Sequence, residues 1–158
     1  MYKLFIKQKV LKLVDHYFVM DENGQEVYEV SQDFMLIGNS VNVKSLKGRT
    51  SFTIERGFTF LLPSYDVNFE DGRNIKIEQE FSLIRTRLSL NSRDYDLEIK
   101  GDIFAYDFSI YNKDVEVGHI DRKIIAWGDT FVLDIYDEDY EEEILAIAIA
   151  VDEIIDRR

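Results

Sequence analysis

Apolar and polar side chains alternate along this chain as far as Ile135, in short segments separated by turn residues. Alternation with a period of two is the pattern of β-strands that bury one face. The segments recur as an aromatic-rich strand, a turn and a second strand, at spacings of 24, 24, 21 and 22 residues. This regular spacing predicts consecutive antiparallel hairpins and roughly 12 strands, too many for one flat sheet. The five copies begin near Tyr17, Val41, Tyr65, Thr86 and Phe108.

The fourth unit alternates most regularly and allows a register to be predicted. A two-residue turn at Asn91-Ser92 would bring the apolar residues of its two strands to one face and the charged residues to the other. Cross-strand pairs of opposite charge favour the same alignment. The predicted pairs are Leu88 with Tyr95, Arg87 with Asp96 and Arg85 with Glu98.

The pattern changes to a helical period over residues 139–156. Apolar residues there follow spacings of three and four, and further apolar residues widen the stripe until the middle turns are apolar all round. Asp139 is expected to cap the helix, with Glu142 completing a capping box. A helix that is apolar on every side, following strands that each have one apolar face, predicts a closed antiparallel β-barrel of about 12 strands wrapped around the C-terminal helix. We expect residues 1–158 to form one domain.

Charge and composition restrict the functional classes. Residues 1–79 carry 10 basic and 11 acidic residues, whereas residues 80–158 carry 9 and 20, for a net charge of −12. Such a chain repels phosphate backbones, so nucleic-acid partners are not expected. The absence of cysteine excludes disulfides and thiolate metal sites and fits a cytoplasmic location. The longest apolar run, Ile144–Val151, is too short for a membrane span of about 20 residues.

Ordered segments along nearly the whole chain resemble the LURP-one-related family, in particular its bacterial YxjI-like branch. They are FIKQKV (5–10), YFVMDENGQEVYEV (17–30), KGDIFAYDFSIYN (100–112), AWGDTFVLDI (126–135) and ILAIAIAVDEII (144–155). The resemblance implies the tubby C-terminal-like fold, a 12-stranded barrel around a central helix, shared distantly with tubby proteins and phospholipid scramblases. It implies no catalytic residues, because the family has no agreed set of them.

Two functional classes lead. The first is a non-enzymatic cytoplasmic binding or scaffold domain, with no catalytic residues, cofactor or metal assigned. The alternative is a peripheral membrane module that recognises anionic phospholipid or phosphoinositide head groups, by analogy with tubby proteins. A small enzyme built from scattered acids is a third class, which a concave pocket with converging carboxylates of perturbed pKa would favour. Ligand identity and oligomeric state stay open.

The residues that would bind lipid are Lys3, Lys7, Lys9 and Lys12, the only dense basic cluster. Lysines that protect an exposed edge strand explain the same pattern. Four lysines would contribute at most about 4 kcal/mol at an anionic surface. Acidic repulsion subtracts from this, so we expect no stable membrane association.

Three further features are weighed as sites. His16 and His119 lack metal-ligand spacing and are expected to be strand or surface residues. The acidic segment 134–143 could hold a hard cation, but helix capping with a solvated loop is the favoured interpretation. The turn Trp127-Gly128-Asp129 is expected to pack at the barrel end, with ligand stacking by Trp127 as the alternative. No Ser-His-Asp set is indicated.

Overall fold

The computed structural model describes residues 1–7, 16–34, 39–57, 62–80, 87–126 and 128–156. The strands are β1 (Tyr2–Lys7), β2 (His16–Asp21), β3 (Glu26–Phe34), β4 (Asn39–Ser45), β5 (Phe52–Gly57), β6 (Ser64–Phe69), β7 (Asn74–Glu80), β8 (Arg87–Asn91), β9 (Leu97–Asp102), β10 (Asp107–Asn112), β11 (Val115–Ile125) and β12 (Gly128–Ile135). A short 3₁₀ helix (Glu138–Tyr140) leads into the helix α1 (Glu141–Asp156).

All 12 strands form one antiparallel sheet in the order β8-β7-β6-β5-β4-β3-β2-β1-β12-β11-β10-β9. Consecutive strands other than β8 and β9 are neighbours, and the first strand lies beside the last, where Tyr2 pairs with Ile135 and Lys7 with Thr130. Within the described residues, β8 and β9 are hydrogen-bonded on one side only. The sheet is therefore a nearly closed barrel with one open seam between these two strands, and the predicted fold class is confirmed.

Helix α1 fills the barrel. Residues Ile144 to Val151 are at most 8% exposed, which is the burial expected of a helix that is apolar all round. Alternate residues of the strands complete the same core, as in Val67 on β6 and Ile75 on β7, which are cross-strand partners. The predicted role of the C-terminal segment as the core of the barrel is thus confirmed.

Gly118 on β11 allows the sheet to approach the helix closely. A Cβ atom at this position would lie 2.5 Å from Cδ1 of Ile144 and 2.9 Å from the backbone oxygen of Asp134. Such contacts are shorter than real side chains show, so only glycine fits without movement of the Ile144 side chain and of the β12 backbone.

The predicted hairpin at Asn91-Ser92 is wrong. Strand β8 pairs with β7, with Arg87 opposite Glu80, and β9 pairs with β10, so Leu88 and Tyr95 are not partners, nor are Arg87 and Asp96. Arg85 lies outside the described residues. The two ends of the connection between β8 and β9 are instead hydrogen-bonded to different hairpins. Ser92 Oγ donates to the backbone oxygen of Asn74, and the backbone oxygen of Asp96 accepts from Lys113 N. These bonds tie the loop to the flanking hairpins and leave the seam open.

The predicted capping residue is also wrong, because the cap lies two residues earlier in the chain. Asp137, not Asp139, is the capping residue, and its carboxylate accepts from the backbone N–H of Asp139 at 3.0 Å. This cap begins the 3₁₀ helix, and α1 follows from Glu141. Its first turn consists of three glutamates, which favour the positive end of the helix dipole. In the described part of the chain no helix is long and apolar enough to cross a membrane.

Candidate functional site

Three consecutive glutamates at the start of α1 are buried at one end of the barrel. Glu141 and Glu142 are each 5% exposed and Glu143 is fully buried. The interpretation of this part of the acidic segment as solvated is therefore wrong. We call this end, together with the arginines and tyrosines that contact the three glutamates, the barrel mouth; it consists of Tyr2, Tyr28, Arg49, Arg73, Tyr95, Glu141, Glu142 and Glu143.

Glu141 is held by two phenols from neighbouring parts of the sheet. Tyr28 on β3 donates to its Oε1 at 2.6 Å, and Tyr2 on β1 donates to its Oε2. The guanidinium of Arg49, in the β4–β5 turn, lies 3.5 Å from the same Oε2. Burial, reinforced by the neighbouring Glu142, raises the pKa of Glu141 to about 7.

Glu143 faces the other arginine. Arg73, in the β6–β7 turn, and the hydroxyl of Tyr95 both donate to its Oε1. Its Oε2 is buried and has no hydrogen-bond partner among the described residues. Burial raises the pKa of Glu143, against the opposing effects of Tyr95 and Arg73. Arg73 also bonds Asp71 at 2.7 Å, and this hydrogen bond lowers the pKa of that exposed carboxyl.

Glu142 lies between the two arginines. Its Oε1 accepts from the backbone N–H of Thr50 at 3.0 Å and lies 3.9 Å from Arg73, while its Oε2 lies 4.0 Å from Arg49. The hairpin turns that carry the arginines are thereby tied to the start of the helix. The network fixes how α1 enters the barrel.

The raised pKa of Glu141 predicts a pH-dependent contribution to stability. In the unfolded chain a glutamate titrates near about 4.3. The folded protein therefore binds an extra proton between that value and about pH 7, and stability is lost as pH rises through this window. We expect the free energy of unfolding of the wild type, relative to Glu141→Gln, to fall from about pH 4.5 to about pH 7 and then level off.

Urea denaturation across this pH range measures the difference. Glu55→Gln, an exposed change on β5 outside the mouth pocket, is the matched control and should show no such fall. A difference that is flat, or that rises with pH, would contradict the assignment of a raised pKa to Glu141.

A cavity of about 260 Å³ opens beside Glu141, which we call the mouth pocket. Its walls come from β1, the β2–β3 turn, β3, the β4–β5 turn and the start of α1. It forms where β1 and β2 separate: within the described residues their ladder has only the pairs Leu4–Asp21 and Phe5–Met20. The residues that line it include Tyr2, Lys3, Asp21, Glu22, Tyr28, Lys47, Arg49 and Glu141.

A larger cavity of about 510 Å³ follows the open seam. It is lined by half-buried apolar side chains such as Leu88, Leu90 and Ile99, with Glu80, Arg87 and Glu98 along it. None of these charged residues is buried. The smaller mouth pocket is therefore the better candidate site, because it places a buried carboxylate against solvent-accessible space.

The predicted lysine cluster is only partly described. Lys3 forms an ion pair with Asp134 on β12, and Lys7 is exposed at the end of β1. Lys9 and Lys12 lie outside the described residues. Because Asp134 already balances the charge of Lys3, the basic character expected of this cluster is reduced.

We predict that the protein does not pellet with anionic liposomes at about 0.15 M salt, where surface charges are screened over about 8 Å. The lysines could contribute at most about 4 kcal/mol, and the remaining acidic surface opposes them. Co-sedimentation with phosphatidylserine and phosphoinositide vesicles tests this, with neutral vesicles as control. Clear pelleting that is lost when Lys3, Lys7, Lys9 and Lys12 are all replaced would instead support the membrane module.

A Ser-His-Asp set that the sequence did not indicate meets on the outer face of the sheet. Ser109 Oγ lies 2.8 Å from His119 Nδ1, and His119 Nε2 lies 3.2 Å from Asp107 Oδ1. Ser109 also donates to Glu116 at 2.5 Å. The single hydroxyl proton of Ser109 therefore goes to Glu116 and not to His119. That leaves Ser109 without a base, so the set is a surface hydrogen-bond network and not a triad.

The two histidines and the turn at residues 127–129 are the other features that the sequence offers as sites. His16 lies on β2 and His119 on β11, as expected, and His16 bonds Glu29 at 2.6 Å. Trp127 lies outside the described residues, while Asp129 pairs with Arg122 at 2.5 Å. No group of three or more His, Asp or Glu side chains in the described ranges has an arrangement that could hold a metal ion.

Sequence reasoning missed the barrel mouth because acids in the first turn of a helix are usually solvated. One signal was available. The three glutamates directly precede the segment that is apolar all round, and successive helical residues are rotated by about 100°. Three of them therefore cannot all avoid the surrounding strands.

Comparison with known proteins agrees with this fold. The family profile described as LURP-one-related matches residues 2–152. The uncharacterized protein YxjI of Bacillus subtilis (strain 168) is 27% identical over 158 residues, covering 98% of this chain and 94% of its own length. An X-ray structure of a protein from Arabidopsis thaliana has the same fold, with a TM-score of 0.63 at 15% identity over 97% of this chain and 91% of that one. This protein belongs to the LURP-one-related family.

Proposed function

We propose that this protein is a binding domain that takes a small molecule in the mouth pocket. One observation carries the proposal: a carboxylate with a pKa of about 7, Glu141, lies at the wall of a cavity that opens to solvent. Buried ionisable groups with perturbed pKa values concentrate at functional sites. We take residues 1–158 as one functional unit, because the pocket needs elements from both ends of the chain.

Binding is favoured over catalysis by how the pocket groups are occupied. Both oxygens of Glu141 accept hydrogen bonds from tyrosines, and Arg49 donates to the backbone oxygen of Glu138 at 2.9 Å. Such mutually bonded groups form a rigid, preorganised surface for a ligand. We place the domain in the cytoplasm, in keeping with its lack of cysteine.

A fragment library followed by two-dimensional NMR tests the proposal. We expect binding fragments to shift the backbone amide signals of Glu22, Asn23, Lys47 and Gly48, which surround the mouth pocket. Signals of Leu90 and Ile99 at the seam provide the internal control. A library without hits, or hits that shift only the seam signals, would refute a site at the mouth.

A further inference from the structure

The mouth pocket is lined by equal numbers of acidic and basic side chains. Three carboxylates and three cationic groups face one small cavity, so its charge is balanced overall. This differs from the whole chain, whose net charge is −12. The six residues are Asp21, Glu22, Glu141, Lys3, Lys47 and Arg49.

At the inner end of the pocket, the buried carboxylates outnumber the cations. Three buried glutamates face two arginines, and Arg73 is committed to Glu143 and Asp71. Arg49 is shared, at 3.5 Å from Glu141 and 4.0 Å from Glu142. Glu141 is the one of the three that lines the pocket. A ligand cation placed beside Glu141 would neutralise the carboxylate charge that the two arginines leave uncompensated.

Asp21 is not an equivalent partner for such a cation. Its Oδ1 accepts from the backbone N–H groups of Asn23 at 2.8 Å and Gln25 at 2.9 Å. These bonds hold the β2–β3 turn in place. Asp21 is only half-buried and Glu22 is exposed, so the carboxylate that meets a ligand at depth is the buried one of Glu141.

At the outer rim of the pocket, the positively charged Lys47 has a neutral hydrogen-bond partner. The ammonium of the exposed Lys47 donates to the side-chain amide of Gln25 at 3.2 Å. Lys3, on the facing strand, is instead paired with Asp134. An anionic group on a ligand would therefore find its charge partner in Lys47.

We propose that the mouth pocket binds a small zwitterion of the amino-acid type, with its ammonium group against Glu141 and its carboxylate group against Lys47. This inference rests on the proposed function and names the ligand class. A ligand with a single charge satisfies only one end of the pocket. Charged hydrogen bonds at both ends fix the orientation of the zwitterion.

Binding of the ammonium group is coupled to the ionisation of Glu141. The pKa of this carboxyl is about 7 in the free protein, and an adjacent cation favours the ionised form. Affinity should therefore rise from about pH 6 to about pH 8, with release of a proton. The titratable and charged groups that face Glu141 from the elements around it are Tyr2, Lys3, Asp21, Glu22, Tyr28, Lys47, Arg49, Glu138, Glu142 and Glu143.

Isothermal titration calorimetry with three ligands that share a four-carbon chain separates the charge classes: γ-aminobutyrate, butylamine and butyrate. We expect γ-aminobutyrate to bind at least about tenfold more tightly than either singly charged ligand, since a hydrogen bond to a charged group contributes about this factor. Lys47→Gln should remove the advantage over butylamine, and Glu141→Gln should remove both the advantage over butyrate and the pH dependence. Lys123→Gln, an exposed change on β11 at the far end of the barrel, should leave all three affinities unchanged.

The outcomes separate this inference from the proposed function. Equal affinity for the three ligands, or preference for butyrate, overturns the zwitterion assignment while fragments that bind at the mouth still support the function. Lys47→Gln changes an exposed side chain, so it keeps the test decisive if Glu141→Gln does not fold. An unchanged preference in Lys47→Gln overturns the orientation that we propose.

Discussion

Ala146→Asp is expected to remove most or all of the stability of the folded protein. Ala146 lies in the middle of α1, is fully buried and belongs to the core that the helix shares with the strands. A carboxylate at this position would have no charged partner, which costs about 3–5 kcal/mol. Total stabilities are about 5–15 kcal/mol, so the cooperative transition should be lost or shifted far to lower denaturant. Urea denaturation followed by circular dichroism measures it.

Ala105→Asp makes the same chemical change at an exposed position in the turn before β10 and is the matched control. It should unfold close to the wild-type midpoint, within about 0.5 kcal/mol. Truncation before Glu141, which removes the helix entirely, should resemble Ala146→Asp. A truncated chain that unfolds sharply near the wild-type midpoint would contradict the assignment of α1 as the core of the barrel.

Arg73→Met is expected to destabilise the protein by about 3–5 kcal/mol at neutral pH, because it leaves a buried carboxylate without its cation. Glu143 is fully buried, and Arg73 is the arginine in direct contact with it. The stacking of the guanidinium on Phe69, at 4.6 Å from the ring centre, is lost as well. Equilibrium unfolding in urea measures the change.

The double variant Arg73→Met, Glu143→Gln separates charge from packing. Replacing both partners removes the unpaired charge, so it should recover a large part of the loss seen in Arg73→Met alone. Lys76→Met, which removes an exposed pair with Glu78 on the same strand, β7, is the control and should cost at most about 1 kcal/mol. Additive effects of the two changes would show that Arg73 does not act through Glu143.

The fold was predictable because its two main patterns constrain each other. Strands with a single apolar face, such as β6 around Val67, need another element to cover that face. A helix that is apolar all round near Ile147 needs to be enclosed by other elements. A barrel closed around the helix meets both requirements at once. This argument uses burial alone, so it does not depend on the register of any one hairpin.

The register between β8 and β9 was not predictable on the same grounds. The alternation around Leu88 and Leu97 shows which face is apolar but not which strand lies alongside. The outcome depends on hydrogen bonds from the connecting loop to residues distant in sequence, Asn74 and Lys113. Such bonds leave no local pattern.

The barrel mouth depends in the same way on contacts between distant residues. Arg49, Arg73 and Tyr95 lie in three separate loops between strands. From the sequence alone, each of these side chains could equally well point into solvent. Only the enclosure of the start of α1 turns them into partners of Glu141–Glu143. The composition of the site was visible in the sequence, but its assembly was not.

A crystal structure of the protein with its tightest-binding small molecule tests the central claim most directly. We predict ligand density in the mouth pocket, between Glu141 and Lys47 and in contact with Tyr2. Density between β8 and β9, or on the outer face of the sheet with the mouth pocket empty, would contradict it.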